Sequence, residues 1–357
     1  MGKWIKFGVS LLVTVACLWW TFKGTQWEPM LNAIKSASWA TTMPLYLLSL
    51  VAIHVLRTLR WGNLLSPLEK VPFKKLNEAS AIGFMMLLIL PFRLGEFARP
   101  VLIAQRTNIK RSAAMTSVVL ERIFDGLIIA TLLWVLMLFI PPDAPDINRI
   151  RAGATAMFVV FGGGFLFLLL ARWRHDLVVS LMRKTAGRIA PGPTEKIIGI
   201  VDNFVGALKQ LPDAKNFTLF FVWTALYWFL NGVGMTYLAN AFDCSGASTG
   251  ACYPLHITEF GGFFVLCVMI VGMLIPAAPG SAGTAQYFLK LGLSVFVTQQ
   301  VANSSGVAFA NVVWLIQITQ QVLFGLIFLV ASHGSFSELA GKLSAQQKEP
   351  EQSEPSA

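Results

Sequence analysis

Apolar residues in this chain gather into long runs separated by short polar punctuation, rather than into the narrow stripes of soluble amphipathic elements. Six runs, at about 5–22, 42–65, 118–140, 153–171, 217–241 and 306–331, have roughly the length that crosses a hydrocarbon core. They predict an all-α, polytopic membrane protein with about six full spans. Two further apolar stretches are interrupted. The run at 81–90 is too short to cross and enters the segment PFRLGEFARP at 91–100 before a second short run. The run at 257–275 meets PAAPGSAG at 276–283 and resumes over 284–297. Irregular backbone at membrane depth persists only where protein buries it or water reaches it, so both stretches read as broken or re-entrant helical units. The 257–275 run is also long enough to cross completely, and the pattern leaves both readings open.

Composition agrees: 55% of residues are hydrophobic and 13% charged, against about a quarter charged in soluble domains. A soluble catalytic domain is thereby excluded as the reading of the apolar region. The net charge of +10 sits in the punctuation, where its partner is expected to be anionic headgroups and not nucleic acid. The N-terminus, the 66–111 region and the 172–216 loop are basic, and the 141–149 and 242–256 loops are poor in Lys and Arg. The positive-inside rule then puts the N-terminus and the tail in the cytoplasm, with the plasma (inner) membrane as the expected location. Counting through, the first broken unit enters from the cytoplasm and the second from outside. Two such oppositely oriented units are the mark of inverted-repeat transporters.

One transmembrane domain is expected over 1–332, with a disordered polar cytoplasmic tail over 333–357. Bulky Trp19, Trp20 and Phe22 stand where a cleavage site would need small residues, so the first run reads as a retained helix. In the basic loop, Ile197, Val201, Phe204, Val205 and Leu208 share one helical face and predict a surface-lying amphipathic helix.

Charges inside apolar runs cost roughly 2.5–3.5 kcal/mol each on insertion scales and so call for a reason. Glu121 and Asp125 lie four apart on one face, and Arg122 lies three before Asp125. They read either as an internal ion pair or as the lining of a polar cavity. In the first break, Arg93, Glu96 and Arg99 recur every three residues. Paired guanidiniums bind phosphate or carboxylate bidentately; the alternative is snorkelling to headgroups. In the second break, Pro279, Gly280 and Gly283 precede a helix restart near Thr284, which reads as an anion-binding helix start or as a plain turn. Glu259 reads as an interfacial residue or a counter-charge. The four histidines are scattered, so no metal site is expected. No nucleophile–base pair or nucleotide loop is legible, so no catalytic residues and no cofactor are expected. Cys17 and Cys267 lie in apolar runs, and Cys244 and Cys252 flank a polar loop that carries a disulfide if it faces an oxidising compartment.

The three motifs PFRLGEFARP, ERIFDGL and PAAPGSAG, in this order and hydropathy, resemble the lysylphosphatidylglycerol synthase transmembrane-region family, also described as flippase-like domain proteins. The resemblance covers about 5–332. It implies Arg93, Gly95, Glu96 and Arg99, then Glu121, Arg122 and Asp125, then Pro279, Gly280 and Gly283 as substrate-binding positions. The family often carries Glu shortly after the glycines, where this chain has Gln286, a neutral amide unable to accept a proton. The synthases add a large tRNA-dependent transfer domain, and none is legible here. The resemblance therefore implies a lipid flippase or transporter for a lipid with a charged or glycosylated headgroup. The rival is a membrane-embedded enzyme or an accessory scaffold on lipid-linked substrates. A homo-oligomer or a lipid-modifying enzyme partner fits either reading.

Overall fold

The computed structural model describes residues 3–90, 95–185, 213–246, 250–275 and 279–331, with a few isolated positions between 188 and 202. Among these residues the chain is all-helical. Arg93, the amphipathic segment through Leu208 and the 333–357 tail lie outside the described residues.

The chain starts with α1 (Lys3–Phe22), a short α2 (Trp27–Ser36) and α3 (Trp39–Leu65). Next come α4 (Phe73–Ile89), α5 (Ala98–Arg106), α6 (Arg111–Met137), α7 (Ile147–Trp173) and α8 (His175–Lys184). The second half holds α9 (Ala214–Ala239), α10 (Glu259–Met273), α11 (Thr284–Leu293), the one-turn α12 (Gln299–Ala302) and α13 (Ser305–Ala331). Several starts are written in the sequence as caps. Asp213 accepts from the Asn216 N–H before α9, and Thr258 accepts from the Gly261 N–H before α10. Exposed Glu259 follows in the first turn of α10, where the helix dipole favours it.

Four helical stretches are long and apolar enough to cross a membrane: Trp39–Leu65, Ile147–Leu170, Ala214–Ala239 and Gln299–Ala331. They match four of the six expected runs. The first run falls on α1, whose clearly apolar part is the shorter Leu11–Phe22. The 118–140 run falls on α6, which at 27 residues is about 40 Å long but carries Glu121, Arg122 and Asp125 inside.

Both broken units are antiparallel helical hairpins. In hairpin one, α4 and α5 lie against each other: Lys75 Nζ donates to the Arg106 carbonyl at 2.8 Å, and Arg106 pairs with Glu78. Gly95, in the turn, lies so close to α4 that a Cβ would fall 2.0 Å from the Leu87 nitrogen. In hairpin two, α10 is only 15 residues, about 22 Å, and then turns back. Gly272 on α10 faces Phe288 on α11, and the rings of Phe264 and Phe296 meet at 5.3 Å.

The long helix α13 carries both hairpins. Leu329, near its end, joins the apolar cluster that holds Leu76 at the base of hairpin one, and Gly325 lies against Met85. At its start, Ser305 Oγ donates to the Tyr253 carbonyl beside the base of hairpin two. The hairpin-two turn reaches the middle of α13, where Trp314 Nε1 donates to the Gly280 carbonyl at 2.9 Å. Cys244 and Cys252 are joined by a disulfide. Its loop is clasped to the end of α2, with the Gly246 N–H donating to the Ser36 carbonyl at 3.2 Å.

Candidate functional site

The densest charge in the protein lies where α3, α5 and α6 meet. Glu121 and Asp125, one turn apart on α6, face α3, and Arg60 meets both. Its Nη1 and Nη2 donate to Asp125 Oδ1 and Oδ2, each at 2.6 Å, a bidentate pair. Nη2 also reaches Glu121 Oε1 at 2.7 Å. From α5, Arg99 Nη1 donates to Glu121 Oε2 at 3.1 Å. From α9, Trp228 Nε1 donates to Asp125 Oδ1 at 3.3 Å. Arg60, Arg99 and Glu121 are at most 2% exposed. Arg122 approaches Glu121 at 3.9 Å, so the sequence-adjacent residue and not Asp125 is its near carboxylate.

Aromatic faces cover three of the guanidiniums. Arg57 lies 3.5 Å over the Phe84 ring, Arg99 lies 4.3 Å over Trp61, and Arg60 lies 4.7 Å over Tyr227. Such stacking is worth about 2 kcal/mol or more when desolvated. No ion pair holds Arg57 among the described residues.

The balance of charge is uneven. Four guanidiniums, those of Arg57, Arg60, Arg99 and Arg122, face Glu121, Asp125 and the more distant charge of Glu96 on Arg122. A net positive charge remains. Several buried donors also make no hydrogen bond among the described residues: Nε of Arg57, Arg60, Arg99 and Arg122, and Nη2 of Arg99. Buried polar groups are ordinarily hydrogen-bonded, and orphaned guanidinium N–H groups beside excess positive charge suit an anion with several oxygens.

Among the sequence candidates, Arg99, Glu121, Arg122 and Asp125 come together here, and Glu96 acts on Arg122 through its charge. Pro279, Gly280, Gly283 and Gln286 gather elsewhere, in the turn of hairpin two. Gly280 and Gly283 have φ of 69° and 84°, a left-handed backbone that glycine takes without strain. The Gly283 N–H is not free for a ligand, because buried Gln286 Oε1 accepts it at 2.8 Å. A Cβ at Gly283 would fall 2.7 Å from the Thr14 carbonyl of α1, so the turn is packed.

Sequence reading missed Arg57 and Arg60, which it counted as charges near the end of a span. The signal available was their spacing: three apart, on one face, inside an otherwise apolar helix. It also passed over α2.

A family model described as lysylphosphatidylglycerol synthase TM region matches residues 6–325. No curated protein and no solved structure matches the chain.

Proposed function

The chain belongs to the lysylphosphatidylglycerol synthase transmembrane-region family, and from that premise we propose that this integral membrane protein moves a lipid with an anionic, phosphate-bearing headgroup between leaflets. The observation that carries the reading is the arginine cluster. It holds more guanidiniums than carboxylates and leaves buried N–H donors unused. An anionic headgroup completes both deficits at once.

The architecture supports the same reading. Six spans, with α1 and α6 completing the four clearly apolar ones, and two hairpins entering from opposite faces make an inverted-repeat-like carrier. Its headgroup path runs along α13, where the turn of hairpin two also touches α4. In this reading the arginine cluster opens toward the basic, cytoplasmic face of the plasma membrane. The Cys244–Cys252 loop lies on the outer face, where disulfides persist.

Arg57 gives the cleanest test, because no carboxylate forms an ion pair with it among the described residues. In proteoliposomes, Arg57→Met is expected to slow leaflet exchange of headgroup-labelled phosphatidylglycerol about tenfold, a loss of roughly 1.4 kcal/mol of binding. Its free energy of unfolding is expected to fall by only about 2 kcal/mol, the lost ring stacking. Wild-type exchange rates in a stable Arg57→Met protein would remove the cluster from the path. An absence of exchange in well-inserted wild type with every anionic headgroup would remove transport itself.

A further inference from the structure

At the end of the molecule opposite the arginine cluster lies a cavity of about 800 Å³ between the end of α1, the start of α7, and helices α11 and α12. Lys23, Arg149 and Lys290 line it, and Asp146 is the carboxylate among the lining residues. Arg149 Nη1 binds Asp146 Oδ1 at 2.9 Å, which offsets one cation and leaves two. Lys290 Nζ donates to the Thr21 carbonyl at 2.8 Å and the Lys23 carbonyl at 3.3 Å, at the C-terminal end of α1. An ammonium has three donors, so one remains for a ligand.

One wall is aromatic. Trp20 and Tyr287 approach to 5.9 Å between ring centroids, and Trp20 is 54% exposed. A tryptophan of that exposure at the end of an apolar helix belongs at the headgroup level of a bilayer. The volume falls in the range of sites for whole small molecules, well beyond what a bare phosphate ion fills. Excess positive charge, an interfacial aromatic wall and this volume together describe a receptor for a lipid headgroup.

We propose that this cavity is a second anion site, which takes the phosphate-bearing headgroup of a lipid at the outer face. The inference rests on the transport reading for its purpose and on the cavity's own residues for its chemistry. Helix α11 ties it to the path: Gly283 just before it packs against α1, and Tyr287 and Lys290 along it and Ser294 just after it line the cavity.

The cysteine inventory makes the site testable. Cys244 and Cys252 are bridged and Cys17 and Cys267 are buried, so Gln299→Cys places one accessible thiol in the cavity wall. In detergent micelles, dihexanoyl phosphatidylglycerol is expected to slow maleimide labelling of that thiol at least fivefold. Equal concentrations of dihexanoyl phosphatidylcholine or inorganic phosphate are expected to leave the rate unchanged. On the same background, Lys23→Gln and Arg149→Gln, both exposed and away from the arginine cluster, are expected to raise the half-protecting concentration about tenfold.

Equal protection by phosphatidylcholine or by inorganic phosphate would overturn the assignment to an anionic lipid. So would no protection by phosphatidylglycerol, or protection unchanged in both charge variants. Gln299→Cys protein that shows this protection, with no leaflet exchange in it or in the wild type, would keep the site and sink the transport reading. Exchange without protection would do the reverse.

Discussion

The second arm of hairpin one opens with Arg99, whose guanidinium reaches Glu121 on α6. The second arm of hairpin two opens with Thr284 and Gln286, and Gln286 turns back onto its own Gly283. The two units share an antiparallel form and a glycine-assisted turn. They differ in what holds them. Hairpin one is pinned to the bundle by charge supplied from α3 and α6. Hairpin two is pinned by close contact, with Gly272 under the Phe288 ring and the Gly280 carbonyl on Trp314. A charged anchor left in slight excess can also bind a ligand, whereas a neutral, packed one can only position a backbone. On the proposed reading, the headgroup chemistry at the arginine cluster belongs to hairpin one, and the turn of hairpin two supplies a wall.

That contrast predicts unequal consequences of substitution. The largest belongs to Arg60→Met, which strips both carboxylates of their main partner while they stay buried. A loss of about 3–5 kcal/mol is expected in denaturation in micelles, as for other broken buried ion pairs. Adding Asp125→Asn is expected to restore part of it. If Arg60→Met costs no more than a surface substitution, the buried charge cluster does not lock α3 to α6.

Gly272→Val attacks the other anchor. Even one Cβ there would meet the Phe288 ring at 2.2 Å, so the arms must part. Overpacking of this kind costs roughly 1–3 kcal/mol, read in the same denaturation experiment. An unchanged midpoint would show that the hairpin-two contact is slack. The smallest effect belongs to Gln286→Ala, which removes the side chain accepting the Gly283 N–H. A loss of about 1 kcal/mol is expected, typical of a helix cap, with exchange rates close to wild type. Abolished exchange in a stable Gln286→Ala protein would make hairpin two a chemical partner rather than a wall.

Much of this frame was legible in the sequence, because a bilayer demands long apolar runs and penalises their interruption. Both breaks, Glu121 and Asp125, and Arg99 stood out for that reason. Arg57 and Arg60 did not, since cations near the end of a run are ordinary at an interface. Their meaning depends on carboxylates 61 and 65 residues later in the case of Arg60, a pairing no local pattern encodes. The disulfide was left open because spacing says nothing of geometry, and the structure closes it. The cavity between α1, α7, α11 and α12 was invisible for a similar reason, as its walls come from positions between 20 and 303. Gln286 was read as a charge withheld from a family site, and it proves to be a hydrogen-bond acceptor for the backbone.

The pairing of Arg60 with Asp125 has a consequence for how the chain is made. Helix α3 leaves the ribosome 65 residues ahead of the carboxylate that neutralises it. At about 5–20 residues per second, that gap lasts roughly 3–13 s. During that interval Arg57 and Arg60 would each cost about 2.5–3.5 kcal/mol at the centre of a lone span. Helix α3 is therefore expected to wait at the insertion machinery or the interface until α6 emerges, so that the two enter the lipid as a pair.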